Sequence, residues 1–586
     1  MRQRTLAPTL IGRQEPLAEL GELLALARAG QGQVVFLAGE AGIGKTRLVE
    51  EFVRAAPADV TVLTGHCFDE QPAPPYGPFA ELLHRAGQTL GPAAAPVPPD
   101  LSAGDLRGLL PDGAPTNNGD SPGDRMLARR QLFQRIHAAL RPPAGRTLLL
   151  ILEDLHWADE ASYELLHHLA RAGAAERICI LATYRSDAIH RLHPLAGLIA
   201  RLTRERRCHA IRLAPLDQAG LAQMLAAILA APPAPALVQA LYERSEGNPF
   251  FVEELLGALL DQGGPYTDPN DYDRSVSDVA LPLSIKDTIV RRVAELNPTT
   301  AAVLRDAAVI GRRFDFDVLA RLSGLSEPDL LQVLGELVEC QLIAEDSGSE
   351  DRYRFRHELI RAALYEELLR RERRIRHKQV LDALEALHAG DPAAAADQLA
   401  YHALQARDLD AAVRYSTLTG DRAAALHAYR EAMARYEDAL EAGDQRGWPD
   451  EREHARLLAC TGRAAYVVGD NRRSAAAWEE ALTIYQRLGD RRNASDMQRW
   501  MGRVAWDRGD LDGAFTHTRA ALATLDGEPP CAELAMAQSA LAHLYMLRLH
   551  ADPTAAAECI AWGNRALAMA EALGNDAVVC HALNSI

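Results

Sequence analysis

The stretch Gly39-Glu40-Ala41-Gly42-Ile43-Gly44-Lys45-Thr46 has the spacing G-x-x-x-x-G-K-[ST]. Its glycines let the backbone wrap so that N–H groups face phosphate oxygens. Lys45 can reach the β- and γ-phosphates of a nucleotide, and the Thr46 hydroxyl can ligate Mg²⁺. The same pattern also fits a glycine-rich turn without a ligand. A second group of acids ends the apolar run Leu148-Leu149-Leu150-Ile151-Leu152, where Glu153 and Asp154 follow one another. One carboxylate there could organise Mg²⁺ and its waters while the other orients the attacking water. The order, Glu then Asp, leaves open which residue does which, and solvated acids at a strand end remain the alternative.

Elements must position these groups. Val34-Val35-Phe36-Leu37-Ala38 is a short continuous apolar run that leads directly into the glycine-rich stretch, and Arg47 to Val53 has helical character. A strand before and a helix after is the setting in which phosphates sit at a helix N-terminus. Val60–Leu63, Thr147–Leu152 and Ile178–Thr183 read as further strands, and Glu15–Arg28 as an amphipathic helix. The alternation predicts an α/β P-loop core with a parallel sheet. We therefore expect a core at 1–212, with a Pro- and Gly-rich insertion at about 91–123, then a helical subdomain at 213–262 and a polar linker at 263–281. Residues 282–390 combine helical periodicity with two short strands near Leu342-Ile343 and Tyr353–Phe355, a winged-helix-like segment.

Residues 391–586 repeat themselves. Gly462, Gly469-Asp470, Trp478 and Ala481 recur in phase as Gly502, Gly509-Asp510, Thr518 and Ala521, with partial matches at Ala411/Tyr415 and Ala432/Tyr436/Ala439. Small residues at such positions let helices approach, as in a tetratricopeptide-like α-helical solenoid. An unrelated helical bundle is the alternative.

At 586 residues with a net charge of −17, the chain is multidomain and a poor non-specific ligand for duplex DNA. The basic run Arg370–Lys378 keeps helical spacing and reads as a solvated helix face. Eight cysteines without a CxxC pair indicate reduced thiols and no zinc site. The first residues have no apolar signal core and no run is long enough for a bilayer, so a cytoplasmic protein with no membrane partner is expected.

In its motif order the chain resembles the signal-transduction ATPases with numerous domains, specifically the bacterial branch that includes large LuxR-type transcriptional regulators. Leu10-Ile11-Gly12-Arg13 resembles that family's opening motif, and Glu153-Asp154-Leu155-His156-Trp157-Ala158-Asp159 resembles its extended Walker B segment. Thr183-Tyr184-Arg185 resembles the sensor strand, which implies that Arg185 sits near the γ-phosphate. Gly247-Asn248-Pro249-Phe250 resembles the segment whose proline packs near adenine, and Arg354–Glu358 resembles, with departures, the Met-His-Asp element through which His357 would hold ADP. Ordinary core packing is the alternative for His357.

The resemblance implies ATP/ADP and Mg²⁺ as cofactors and ATP hydrolysis in the service of switching. The candidate site is then the loop Gly39 to Thr46 with Arg47, Pro249 and His357 for the nucleotide, Thr46, Glu153 and Asp154 for the metal, and Glu153, Asp154 and Arg185 for catalysis. A protein or small-molecule inducer is expected at the repeats, and nucleotide-dependent self-association is possible. The LuxR-type members end in a helix-turn-helix, whereas Ala582–Ile586 reads as another helix. Either the chain is truncated or its own output is not specific DNA binding. A repeat scaffold with a purely structural nucleotide site is the competing functional reading.

Overall fold

The computed structural model describes residues 7–67, 74–90, 122–190, 193–261, 285–346, 351–549, 552 and 554–586. The insertion expected at 91–123 and the linker expected at 263–281 lie almost wholly outside these residues.

The apolar runs become the sheet. β1 Gln33–Gly39, β2 Val60–His66, β3 Thr147–Glu153, β4 Ile178–Arg185 and β5 His209–Arg212 form one five-stranded sheet in the order β2-β3-β4-β1-β5. Its four pairings are all parallel. Leu148 to Leu152 are at most 1% exposed, which explains a strand without polar alternation: both its faces are covered. The helices Gln14–Arg28 and Lys45–Arg54 supply Leu20, Leu24, Leu48 and Phe52 to the core on one side. β5 had no signature in the sequence because it is an edge strand with three of its four residues exposed. The order places β4 between β1 and β3, so the ends of three strands converge: Gly39, Arg185 and Glu153.

Two smaller modules follow in the same unit. Helices Gln218–Leu229, Pro235–Ser245 and Pro249–Asp261 pack on Leu221, Leu225, Leu241 and Val252. Next, helices Ile285–Ala294, Pro298–Ile310, Phe316–Ser323, Glu327–Glu339 and Glu358–Glu367 accompany an antiparallel sheet. It comprises β6 Arg313–Asp315, β7 Ile343–Glu345 and β8 Arg352–Phe355 in the order β6-β8-β7. Three strands are present where two were expected; β6 is only three residues long, too short for a pattern. The core of this module, with Leu304, Phe314, Leu337, Phe355 and Ile360, also takes in Phe250 from the preceding one.

By internal packing the described residues fall into two units, one within 1–109 and 133–407, the other within 110–132 and 408–586. Helix Ala396–Ala406 belongs to the first and packs on Arg370–Leu387, the helix formed by the basic run. On that helix Val380 is buried, whereas Ile375 is 51% exposed and the preceding Leu369 is 74% exposed, so the apolar spacing there only partly marks a core face.

Within the second unit, residues 408–586 form a succession of packed helix pairs from Leu409–Ala425 to Asp576–Leu583. Its turns follow from a dipeptide. Gly469, Gly489 and Gly509 adopt left-handed φ values of 88°, 67° and 80°, which ends one helix without a Cβ clash. The aspartate after each caps the next helix, Asp470 accepting from Arg473 N–H, Asp490 from Asn493 N–H and Asp510 from Gly513 N–H. Packing follows from a small residue facing a larger one. A Cβ on Gly462 would lie 2.3 Å from Trp478, one on Gly420 2.6 Å from Tyr436, and one on Gly502 2.8 Å from Thr518. Trp478 in turn stacks on Trp500 with ring centroids 5.2 Å apart. Among the described residues no helix is long and apolar enough to cross a membrane.

Candidate functional site

The loop after β1 is shaped by what holds its carbonyls. Asn248 Nδ2 donates to the Ala41 carbonyl at 2.9 Å, Phe250 N–H to that of Gly42 at 3.3 Å, and Arg13 Nη2 to that of Ile43 at 3.1 Å. In a trans peptide the C=O and the next N–H point in opposite directions, so holding the Ala41 and Ile43 carbonyls leaves the amides of Gly42 and Gly44 directed away from Asn248 and Arg13. Ile43 N–H makes a weak 3.4 Å bond to the Glu40 carbonyl. Gly42 and Gly44 have φ values of 78° and 96°, which side-chain-bearing residues rarely adopt. At Gly42 a Cβ would also fall 2.8 Å from Phe250.

Lys45 opens the following helix and is buried, with its Nζ donating to the carbonyls of Gly39 and Glu40 at 2.8 Å each. Burial lowers its pKa to about 8, with Asp154 opposing the shift and Arg185 adding to it. An anion in front of this ammonium would restore the charge that burial disfavours.

A cavity of about 490 Å³ opens on this loop, within the size range of small-molecule sites. Ala41 to Arg47 line it, together with Asp154, Arg185, Pro249 and His357. Gly39 and Glu40 do not; they act from behind through the carbonyls that hold Lys45. Arg47 reaches away from the loop to the Ala7 carbonyl and lies 3.8 Å from Glu253, so it fastens the segment preceding Leu10 to the site. The lining carries eight cationic side chains against four carboxylates, the reverse of the chain's net charge, as an anion receptor requires. Leu10, Ile11, Leu216, Met224 and Pro249 give the other part of the lining an apolar character suited to a flat base.

The two acids separate. Asp154 lines the cavity, and its N–H donates to Thr183 Oγ1 at 3.0 Å. Its φ of 55° is unusual for a residue with a side chain. Glu153 is not among the lining residues; it ends β3 in register with His66 of β2. Burial pushes the Asp154 carboxyl up, but Arg312 beside it outweighs this and holds it below the usual range. Arg185 ends β4 beside Gly39, donates to Asp187 at 2.9 Å, and keeps a buried Nε with no hydrogen-bond partner. His156 presents Nδ1 to Arg185 N–H at 3.4 Å and is held neutral by burial, its pKa near 4.

The His357 ring packs on Phe250 at 4.1 Å between centroids and also lines the cavity. Burial, with Arg356, Arg312 and Arg354 nearby, lowers its pKa to about 3, so it is a neutral imidazole.

Sequence reasoning missed Arg312 and Arg356. Arg312 Nη1 donates to Asp154 Oδ2, and Arg356 lies 3.6 Å from Glu253. Arg312 sits in no recognisable motif, and Arg356, although inside the stretch Arg354–Glu358, had no role suggested by it; only the folded chain brings them to Asp154 and Glu253. Asn248 was inside a quoted motif, yet its amide bond to the loop is visible only in three dimensions.

The residues fit a nucleoside triphosphate with magnesium. The loop amides of Gly42 and Gly44, Lys45 and the unsatisfied Arg185 Nε suit phosphate oxygens, and the Thr46 hydroxyl and Asp154 carboxylate are hard oxygen donors of the kind magnesium takes.

Residues 9–181 match the AAA ATPase domain family, and this segment is an AAA-type, P-loop nucleotide-binding domain. An uncharacterized protein of Rhizobium meliloti (strain 1021) is 26% identical over 524 residues, covering 84% of this chain and 48% of that protein. The chain thus spans about half the length of the curated relative it matches. Among solved structures, a signal transduction ATPase with numerous domains and a tetratricopeptide repeat sensor from Pyrococcus horikoshii shares 13% identity. That likeness covers 100% of this chain and 87% of the other, with a TM-score of 0.38. A Walker-type ATPase of Pyrococcus abyssi shares 16% identity over 62% of this chain and 98% of its own, with a TM-score of 0.30. Likenesses this distant carry no functional argument, and the family match rests on the ATPase segment.

Proposed function

We propose that the chain is an ATP-binding, slowly hydrolysing signalling switch of the signal-transduction ATPase kind, related to LuxR-type regulators and acting in the cytoplasm. The observation that carries this reading is the single cavity in which Lys45, Thr46, Asp154, Arg185, Pro249 and His357 converge from separate stretches of one unit. The loop amides and Lys45 take the phosphates, Thr46 and Asp154 take magnesium, and Arg185 faces the terminal phosphate. Magnesium, when bound, neutralises phosphate charge. Pro249 and the neighbouring apolar residues contact the base, and the neutral His357 offers a ring nitrogen rather than a charge to a bound diphosphate. The module at 282–390, which we read as a winged helix, closes the site and serves as a clamp.

The helix pairs of the second unit, read as tetratricopeptide-like repeats, are the place for a protein or small-molecule inducer. Nucleotide state then sets whether the chain self-associates. The module's Arg312, Arg313, Arg354 and Arg356 are turned toward acids of its own unit, a use that removes them from any DNA surface. This chain alone is therefore expected not to bind duplex DNA specifically.

The test is titration of ATP, ADP and GTP with magnesium, with phosphate release followed in parallel. Selective adenine-nucleotide binding with turnover well below once per second supports the switch, motor-type enzymes being faster. Binding without hydrolysis favours a repeat scaffold with a structural nucleotide, and no binding by folded protein overturns both. A gel-shift series with ATP and ADP at physiological salt tests output: sequence-selective binding would make the winged helix an effector instead of a clamp.

A further inference from the structure

We propose that Arg312 is a latch on the magnesium carboxylate: it competes with the metal for Asp154 and so sets how much magnesium the nucleotide site requires. This deepens the nucleotide-site reading and rests on it.

The geometry is specific. Arg312 follows helix Pro298–Ile310 and Gly311, and its Nη1 donates to Asp154 Oδ2 while its guanidinium lies 5.8 Å over the Trp157 ring. The two side chains are 18% and 14% exposed, so the pair is largely out of water. Asp154 cannot readily swing aside, because its N–H is held by Thr183 Oγ1 and its backbone occupies a left-handed conformation at the strand end. The turn carrying Arg312 is also held from behind: the Ile310 carbonyl accepts from the buried His402 ring, which bonds His377 at 2.8 Å, itself bonded to Tyr365 at 2.9 Å. Both partners are thus presented to each other by fixed backbone.

The pair conflicts with magnesium. A guanidinium donating to Asp154 Oδ2 occupies one of the carboxylate's acceptor sites and offsets the charge a divalent cation would use, and two cations on one small carboxylate repel at low local dielectric. Magnesium also demands near-octahedral oxygen ligands at short range, leaving little room for a shared arrangement. Other arginines of the module take other acids: Arg313 lies 3.8 Å from Glu81, Arg354 3.9 Å from Glu50, and Arg356 3.6 Å from Glu253. None of these carboxylates is Asp154. Arg312 can release Asp154 while the remaining pairs keep the module tethered, which makes the release a local exchange. A buried carboxylate freed of its arginine has strong reason to find another cation, since an uncompensated buried charge is costly.

The experiment measures the free magnesium that half-saturates the complex of the full chain with a fluorescent N-methylanthraniloyl ADP, using magnesium chloride as titrant. In Arg312→Ala the half-saturating magnesium should fall at least about tenfold, the worth of one charge-assisted hydrogen bond; the magnesium-free affinity of the same variant is measured alongside, so that loss of one cation from the cavity lining is read separately from release of Asp154. Adding Asp154→Asn to Arg312→Ala should abolish that gain. Should Arg312→Ala fail to fold, Arg312→Gln, which is shorter and uncharged but keeps an amide donor and some of the packing, is read in its place and should shift in the same direction. An unchanged or raised magnesium requirement in the folded variant overturns the latch. If the unaltered folded chain binds no nucleotide at all, the site reading fails first, an outcome distinct from a site that binds normally and ignores Arg312.

Discussion

Trp478 fills the space that Gly462 leaves on the preceding helix, and Thr518 does the same for Gly502, so packing in the second unit joins near neighbours in the chain. In the first unit Asp154 meets Arg312 158 positions later, and the loop carbonyl of Ala41 is held by Asn248 207 positions later. The contrast separates two kinds of specification. Helix pairs are written locally, in a small residue, a larger one and a Gly-Asp turn, and each pair needs only its neighbours. The nucleotide site is written in fragments, each weakly constrained alone, that acquire meaning when the sheet order brings the ends of β1, β4 and β3 together. Damage should therefore read differently in the two units: loss of chemistry in one, loss of stability in the other.

The largest effect should come from the acids. Because Asp154 lines the cavity and Glu153 does not, Asp154→Asn should cut phosphate release by about 100-fold or more, a loss typical of a preorganised charged group, while nucleotide still binds. Glu153→Gln should cost far less, and the double variant should resemble Asp154→Asn. Equal losses in the two single variants, measured by phosphate release, would mean that Glu153 reaches the reacting centre in the bound state.

Next in size is Gly462→Val, which puts a branched side chain where even a Cβ would lie 2.3 Å from the Trp478 indole. Overpacking of this kind should cost about 3 kcal/mol. Denaturant titration of the repeats reads the loss, and nucleotide affinity should be unchanged. A shift in affinity would show that the units are energetically coupled.

A third break uses pH. His377 and His402 lie in mutual contact near Tyr365, Tyr401, Arg361 and Arg373, and burial lowers both, His377 to about 4 and His402 well below its ordinary value. The unfolded chain then takes up protons first, so their stabilising contribution is full above about pH 6.5 and declines as pH falls toward 4. His377 alone should cost about 2 kcal/mol between pH 7 and pH 5. The denaturation midpoint of the first unit should drop accordingly, and His377→Gln should flatten that dependence; an equal slope in the variant would remove His377 from the account. The smallest effect should be Asp490→Ala, which deletes one helix cap and should lower repeat stability by about 1 kcal/mol in thermal unfolding.

What the sequence disclosed follows the same division. Val34–Ala38 and Leu148–Leu152 were legible as strands because burial on both faces removes polar alternation, and β5 was not, because an exposed edge strand has no such mark. Gly39 to Thr46 was legible because a phosphate-binding loop needs consecutive residues. Between Glu153 and Asp154 the sequence offered no choice; the turn at Asp154, with its left-handed φ, directs one carboxylate to the cavity, and only the folded backbone shows that. Arg312 was invisible for a related reason, since Gly311-Arg312 is an ordinary sequel to a helix until the folded chain brings it to Asp154.

The central claim is that the loop Gly39 to Thr46 binds the phosphates of an adenine nucleotide, with Lys45 as its cation. Titration of fluorescent ADP into Lys45→Ala, with circular dichroism confirming the fold, tests it most directly. Removing a buried charge-assisted donor should weaken binding by at least about 100-fold relative to the unaltered chain. Unchanged affinity in a folded Lys45→Ala protein would contradict the account.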